Sequence, residues 1–455
     1  MLERLFKLSA HGTSVQTEII AGLTTFMTMA YVLFVNPSIL AAAGMDKDAV
    51  LLATVIGSAV ITIMMGLYVN YPIALAPGMG INAFFTYSVV IGMGVTWQIA
   101  LGAVFLAGIV FIILTVTKFR EVLVAAIPNS LKHAITVGIG LFIALLGLKM
   151  SGIMSIKLSL SPETIAVLIE TNGHLVLHPG ESLIQLGQFT PPVLLTLFGL
   201  LLTALLMARH IKGAILIGIL ATAVLGILIG EVSIPQGFRP VSIPDFSHNA
   251  FFALDIRGAL KLGFVSVILT FVFVALFDAM GTMVGAATKA GLTDENGNIP
   301  KLGKAMTVDA IGSSFGALLG TSTVTAYVES AAGVSVGGRT GLTAIVVGVL
   351  FLLALFFTPL IHLIPDAATA PALIIVGGLM LESVKKINFG DATEYLPAFV
   401  TIIGMPFTYS ISNGISFGLV LYPLMKLVTG RWREVHWLMW LLLALVICRF
   451  IFLEY

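Results

Sequence analysis

Long apolar runs, each about the length of a membrane-spanning helix, follow one another along most of this chain. A helix needs about 20 mostly apolar residues to cross the hydrocarbon core of a bilayer. Only 10% of the 455 residues are charged, whereas soluble domains have about 25% charged residues. The chain is therefore predicted to be an all-α polytopic membrane protein that has the lipid bilayer as its main solvent.

Two groups of seven apolar runs meet this length criterion, which predicts about 14 spans. The first group lies near residues 17–40, 48–69, 75–92, 97–117, 134–151, 192–208 and 212–230. The second group lies near residues 260–286, 306–320, 322–337, 340–362, 369–382, 394–410 and 412–429. A further run, 436–453, contains Arg449 and follows Arg431 and Arg433, so we expect an interfacial or peripheral helix there.

Basic residues near the ends of the spans predict the orientation of the chain in the cell membrane. With a cytoplasmic N-terminus, basic residues should follow the even-numbered spans, because cytoplasmic loops are enriched in Lys and Arg. The residues that follow this rule are Lys118, Arg120, Arg209, Lys212, Lys289, Lys301, Lys304, Arg339, Lys385 and Lys386. The segments 152–191 and 231–259 are then expected to be external loops of a multi-pass protein.

The two groups of spans resemble each other, which indicates a duplication. An Ile-Pro pair opens a glycine-containing span in each group, at residues 127–128 and again at 364–365. A repeat of seven spans must enter the membrane in the opposite orientation the second time, and this predicts an inverted repeat. We expect a first repeat at 1–231, a second repeat at 260–430 and a C-terminal apolar helix at 431–455.

The third and tenth spans are poor helix formers and are predicted to be broken. Residues 76–82 read APGMGIN and residues 331–338 read AAGVSVGG. Glycines in membrane helices commonly serve close packing alone. Irregular backbone at membrane depth is tolerated only inside protein or along a cavity, so paired interruptions indicate a binding site.

Among the acidic residues of the predicted spans two stand out, Asp278 in the eighth and Glu329 in the tenth. A carboxylate at the bilayer centre costs about 2.5 to 3.5 kcal/mol, so such a residue is a functional candidate, with a structural cap or a buried hydrogen-bonded pair as the alternative. Thr282 shares a helix face with Asp278, four residues away. Thr325 and Tyr327 precede Glu329 on a segment that we expect to be extended.

Asn82 follows the third-span interruption and has both donor and acceptor atoms. Its pattern fits a backbone cap and a substrate contact equally well. Asp309 lies near Lys301 and Lys304 at the expected start of the ninth span. We therefore expect Asp309 to serve a helix end or an ion pair, outside the site.

Several classes of protein are disfavoured by the sequence. A formal net charge of +1 provides no basic face for nucleic acid. The chain has none of the common metalloprotease, nucleotide-binding or magnesium–diphosphate motifs, so we expect no enzyme activity, no metal site and no cofactor. An anion or other small-solute carrier, a channel and a membrane enzyme remain as alternatives.

The motifs together resemble one family, the azaguanine-type purine permeases of the nucleobase-cation symporter group. They are AGLTTF at 21–26, VNP at 35–37, APGMGINA at 76–83, FDAMGT at 277–282, GTST at 320–323, ES at 329–330 and GGRTG at 337–341. Related uracil carriers have Glu and His at the positions of Asp278 and Thr282. The smaller pair in this chain suits a purine better than a pyrimidine.

The resemblance implies a core domain of spans 1–4 and 8–11, a gate domain of spans 5–7 and 12–14, and a substrate site between spans 3 and 10. It places Asp278, Glu329 and Asn82 in that site. We expect the chain to import a purine base together with protons, with Asp278 and Glu329 as the proton-coupling pair. The sequence leaves open whether two copies associate as a homodimer.

Overall fold

The computed structural model describes residues 2–117, 126–158, 182–247, 249–261, 267–290, 292 and 299–452. The helices of the first half are Leu2–Phe6 (α1), Val15–Met29 (α2), Val32–Ala41 (α3), Lys47–Met64 (α4), Met79–Ala83 (α5), Trp97–Val116 (α6), Asn129–Met150 (α7), Pro191–Ala208 (α8) and Ala214–Leu228 (α9). Those of the second half are Ile256–Lys261 (α10), Leu269–Lys289 (α11), Leu302–Leu319 (α12), Ser330–Ser335 (α13), Gly341–Ala354 (α14), Thr358–His362 (α15), Asp366–Met380 (α16), Ala392–Phe407 (α17), Ile411–Val428 (α18) and Trp437–Phe452 (α19). The strands are Leu75–Pro77 (β1), Met154–Leu158 (β2), Ser182–Leu186 (β3) and Val324–Ala326 (β4).

Helices dominate the described residues, and eight of the helical segments there are long and apolar enough to cross a membrane. Helix formation satisfies the backbone hydrogen bonds within each segment, which is what a bilayer demands. The prediction of a mostly helical, polytopic membrane protein is confirmed. The number of 14 spans and the division at 1–231, 260–430 and 431–455 stay predictions.

Both predicted interruptions contain extended backbone instead of a continuous helix. β1 pairs with β4 in antiparallel register, with Ala76 opposite Thr325. The ladder is closed at its ends by two bonds: Tyr327 N donates to Ala74 O at 3.0 Å, and Gly78 N donates to Thr323 O at 3.0 Å. The backbone groups that the broken helices leave free are thus satisfied between the two spans.

The tenth-span interruption starts earlier than we expected. The extended segment is β4, whereas most of the glycine-containing segment 331–338 forms the short helix α13. The physical reason is the pairing with β1, which selects the residues in register with that strand. The third-span interruption is confirmed where it was predicted, at Ala76 and Pro77 in β1.

Corresponding parts of the two halves pack against each other in antiparallel pairs, as a two-fold axis in the membrane plane requires. β1 and β4 form one such pair. Helices α7 and α16, which follow the two Ile-Pro pairs, form another. A Cβ atom added to Gly140 would lie 2.7 Å from the carbonyl oxygen of Gly377, so the two helices meet backbone to backbone.

A buried carboxylate connects α2 to the start of α14. The side chain of Glu18 is fully buried and accepts from Arg339 N at 2.9 Å, Thr343 N at 3.1 Å and Thr343 Oγ1 at 2.5 Å. The first N–H groups of a helix lack partners within it and carry partial positive charge. Glu18 supplies the partner and the opposite charge, and so holds the first span against the eleventh.

The C-terminal part is held by a charged cluster beyond α18. Buried Lys426 lies 3.0 Å from Glu394 and 2.9 Å from Glu434, and Arg431 also donates to Glu434. Arg431, and then Lys426, lower the pKa of Glu434 to about 2. α19 packs against α18 next to this cluster, and its place relative to the membrane stays a prediction.

Gly377→Ala should destabilise the protein, because the new methyl group would meet the Gly140 carbonyl oxygen and lie 2.8 Å from Ala144 Cβ. Overpacking of this kind costs about 1 to 3 kcal/mol. The matched control is Gly378→Ala on the same helix, where a Cβ would meet no described atom within 4 Å. Melting of the detergent-solubilised variants measures the effect, and equal melting temperatures would contradict the backbone contact.

Candidate functional site

The third and tenth spans cross where β1 pairs with β4, and we call this place the crossing. A carboxyl group, that of Glu329, lies next to it. Glu329 lies three residues after the end of β4 and immediately before α13, and its side chain is partly exposed. Tyr31 Oη donates to Glu329 Oε1 at 2.7 Å. Thr28 Oγ1, whose nearest acceptor is Thr25 O at 2.8 Å, also lies 3.4 Å from the backbone carbonyl oxygen of Glu329. Glu329 forms no salt bridge within the described ranges, so it lies at this crossing as a carboxyl held by neutral donors.

Tyr31 is a site residue that the sequence analysis missed. It lies where α2 ends and α3 begins, within the first span. The backbone forms a 3-10 turn there, because Phe34 N donates to the carbonyl oxygen of Tyr31, three residues earlier, at 3.1 Å. Such a turn inside a longer helix is often found at functional positions. A single tyrosine in an apolar run has the same sequence pattern as a core aromatic, and this explains the omission.

Thr325 and Tyr327 are near Glu329 in the chain, and both use their hydroxyl groups within the protein. Thr325 lies in β4, so the expected extended conformation is confirmed. Thr325 Oγ1 donates to Asp309 Oδ1 at 3.0 Å, and Tyr327 Oη donates to Pro77 O at 2.5 Å. Both residues thereby fix the crossing, and direct contact of either with substrate stays a prediction.

The role that we expected for Asp309 is wrong. It lies inside α12, which already begins at Leu302, and its side chain is fully buried. Oδ1 accepts from Ala326 N at 2.8 Å as well as from Thr325 Oγ1. The ninth span therefore uses this carboxylate to bind strand β4, a task that the neighbouring lysines in the sequence concealed.

Asn82 belongs to a fully buried network of neutral polar groups. Its Nδ2 donates to Asn36 Oδ1 at 2.5 Å, and its Oδ1 accepts from Ser322 Oγ. Asn36 Nδ2 in turn donates to Thr54 Oγ1 at 2.6 Å and to Thr321 Oγ1 at 3.0 Å. The side chain is thus not a backbone cap, and its contact with a substrate stays a prediction. It joins spans 1, 2, 3 and 10 beside the crossing.

Asp278 and Thr282 both lie on α11, the helix predicted for the eighth span. This helix packs against β4 and α13, so it borders the crossing that carries Glu329. Thr282 is partly buried. The side chain of Asp278 lies outside the described residues, and its part in the site stays a prediction.

The arrangement brings together a carboxylate, a phenol and the N-terminal ends of two short helices. Glu329 Oε1 accepts from Tyr31, and among the described residues no other side chain donates to the carboxyl group. A carboxylate oxygen accepts from N–H donors when ionised and can donate when protonated. The crossing can therefore bind a small polar molecule and take up a proton at the same place.

A membrane protein in which two interrupted spans cross in antiparallel fashion has the architecture of an alternating-access transporter. The chain belongs to the permease family described by the Xan_ur_permease model, which matches residues 16–177 and 153–417. The chain is therefore a transporter and not an enzyme. The family resemblance drawn from its motifs is confirmed.

Relatives with known names match over nearly their whole length. The adenine permease AdeP of Escherichia coli is 45% identical over 100% of this chain and 97% of its own. The guanine/hypoxanthine permease PbuG of Bacillus subtilis is 44% identical over 100% of both chains.

Two solved structures share the fold. The transmembrane domain of the cyanobacterial bicarbonate transporter BicA has a TM-score of 0.56 at 16% identity, covering 95% of this chain and 97% of that one. The murine anion transporter Slc26a9 has a TM-score of 0.61 at 13% identity, covering 91% of this chain and 68% of that one. Together with the antiparallel pairs described above, these matches confirm the inverted-repeat fold.

Ser322→Ala should weaken both stability and transport, because it removes the donor to Asn82 and leaves a buried amide oxygen unsatisfied. An unsatisfied buried group costs about 1 to 3 kcal/mol. Ser58→Ala is the matched control, since Ser58 Oγ is also fully buried but has no partner among the described residues. Melting temperature and substrate KM of the two variants measure the difference, and identical values would show that the network does not hold the crossing.

Proposed function

We propose that the chain imports purine bases, such as adenine, guanine or hypoxanthine, across the cell membrane by symport with protons. The substrate would bind between the third and tenth spans and beside the eighth. The N-terminus would lie in the cytoplasm, and the base would be released there. The transporter would need no cofactor, because the proton gradient supplies the driving force.

The observation that carries the proposal is the carboxyl group of Glu329 at the crossing. A purine presents ring and exocyclic N–H donors beside ring-nitrogen acceptors. Oε2 of Glu329 could accept one such N–H or donate when protonated. The names of the permeases AdeP and PbuG, to which this chain is 45% and 44% identical, support a purine as the cargo.

The proton would be carried by Asp278 and Glu329 acting together. Both lie on segments that border the crossing, α11 and the turn after β4. Two carboxyl groups in one low-dielectric site are not easily charged at the same time, so one proton bound to the pair is favoured. Strongly interacting acids titrate as a unit, and the proton is therefore assigned to the pair.

An anion carrier is the second candidate, because BicA and Slc26a9 share the fold. Anion sites at the ends of short helices favour a positive potential. A carboxylate held by a neutral phenol opposes an anion at this crossing. The proton-coupled purine carrier therefore remains our proposal, and a test with bicarbonate or chloride as competitor separates the two.

Protein reconstituted in liposomes should accumulate radiolabelled adenine or hypoxanthine when the outside is more acidic than the lumen. A protonophore should abolish accumulation, while a sodium gradient at equal pH should have no effect. Unlabelled adenine, guanine, hypoxanthine, xanthine and uracil, added in turn, rank the substrates. Accumulation that needs sodium and survives the protonophore would rule out proton coupling.

Asp278→Asn and Glu329→Gln keep size and most hydrogen bonding but remove the titratable proton. We expect each variant to lose concentrative uptake, and at least one to retain exchange of labelled for unlabelled purine. Exchange needs binding and the conformational change but no net proton movement. Wild-type accumulation and pH dependence in both variants would show that the two carboxyls are structural.

A further inference from the structure

We propose that Tyr31 is the positioning residue of Glu329, and that it directs the shared proton to Oε2 of that carboxyl group whenever Glu329 holds it. This inference rests on the proposed proton symport and names the atom at which the proton is taken up. Its starting point is the bond from Tyr31 Oη to Glu329 Oε1, at 2.7 Å.

The phenol is held rigidly in place. Tyr31 is 2% exposed, and its ring lies against that of Tyr327 with a centroid distance of 6.4 Å and an angle of 43°. Tyr327 in turn is bonded to the third span through Pro77 O. A rigid aromatic donor with two rotatable side-chain bonds loses little entropy when it holds its partner, so the geometry at Oε1 is set in advance.

The first span packs alongside the tenth, and this contact positions the backbone of Glu329. Thr28 Oγ1 lies 3.4 Å from Glu329 O, and a Cβ on Gly333 would lie 2.5 Å from Ala21 O. The tighter turn at Tyr31 falls at the point where this shared interface reaches the carboxyl group. The same span therefore holds the main chain and one side-chain oxygen of Glu329.

This geometry makes the two oxygens of the carboxyl group chemically different. Oε1 already accepts a hydrogen bond from the Tyr31 phenol. It therefore remains the carbonyl oxygen when the Glu329 carboxyl group is protonated. The added proton then resides on Oε2, from which it can be donated to a ring nitrogen of a bound purine. Loss of the phenol would remove this difference between the two oxygens.

Other titratable groups lie on the segments packed around Glu329. Asp278 is on α11, Asp309 on α12 is bonded to Thr325 and Ala326, and Tyr327 is bonded to Pro77. Glu18 is at the far end of α2, where it is bonded to the start of α14. Tyr31 donates directly to the Glu329 carboxyl group. Loss of this hydrogen bond should therefore change the protonation of Glu329 more than that of the other groups.

Tyr31→Phe removes only the hydroxyl and tests the inference. A donor stabilises the ionised carboxylate more than the neutral acid, so its loss favours protonation. We expect the pH of half-maximal purine uptake to move to higher values by about half to one unit, and the substrate KM to rise about 3- to 10-fold. Tyr71→Phe is the matched control, because Tyr71 is also buried and its hydroxyl has no partner among the described residues.

The outcomes separate this inference from the proposed function. If wild-type protein shows no proton-driven accumulation, the proposed function fails. If it accumulates purine but Tyr31→Phe keeps the wild-type pH profile and KM, only the role of Tyr31 fails. A lower maximal rate with an unchanged pH profile would likewise indicate a structural residue.

A second measurement does not depend on the Tyr31 variant reaching the membrane. Infrared spectra of wild-type protein on acidification should contain a carboxyl C=O band that Glu329→Gln removes. The frequency of this band should be that of a hydrogen-bonded carbonyl, since Oε1 accepts from Tyr31. A band at the frequency of a free carbonyl would overturn the inference.

Discussion

The structure depends on one constraint, that a backbone interrupted inside a membrane must find hydrogen-bond partners within the protein. β1 and β4 meet this constraint by pairing with each other at the crossing of the third and tenth spans. The pairing fixes the register between the two halves, since Ala76 must face Thr325. It also places Glu329 directly beyond the ladder, where the backbone turns into α13.

Buried polar groups then hold the crossing from several sides. Asp309 binds the strand of the tenth span from the ninth, and the network around Asn36 and Asn82 joins it to the first and second spans. Buried polar groups are costly unless they are satisfied, so each bond restricts the position of its partners. These bonds surround the carboxyl group of Glu329, on which our proposal for substrate and proton binding depends.

Much of this fold could be predicted from the sequence, because span length and paired interruptions both follow from the physics of the bilayer. The extended conformation at Thr325 was predicted too, but its pairing with β1 and the short helix α13 were not, because contact with β1 and not the local glycine content selects the extended residues. The role of Tyr31 could not be predicted either, because the sequence around an aromatic residue in an apolar run does not indicate a distant partner such as Glu329. Asp309 was misinterpreted because the nearby lysines suggested a helix end or an ion pair, whereas it lies inside α12 and accepts from Ala326 N.

The central claim is that substrate and proton meet at Glu329 between the two broken spans. A cryo-electron-microscopy structure of the protein with bound adenine, at acidic pH, tests it most directly. The account predicts the base between the β1–β4 ladder and α11, within hydrogen-bond distance of Glu329 Oε2, with Tyr31 still bonded to Oε1. Density for the base elsewhere in the protein, with Glu329 bonded to Tyr31 alone, would contradict it.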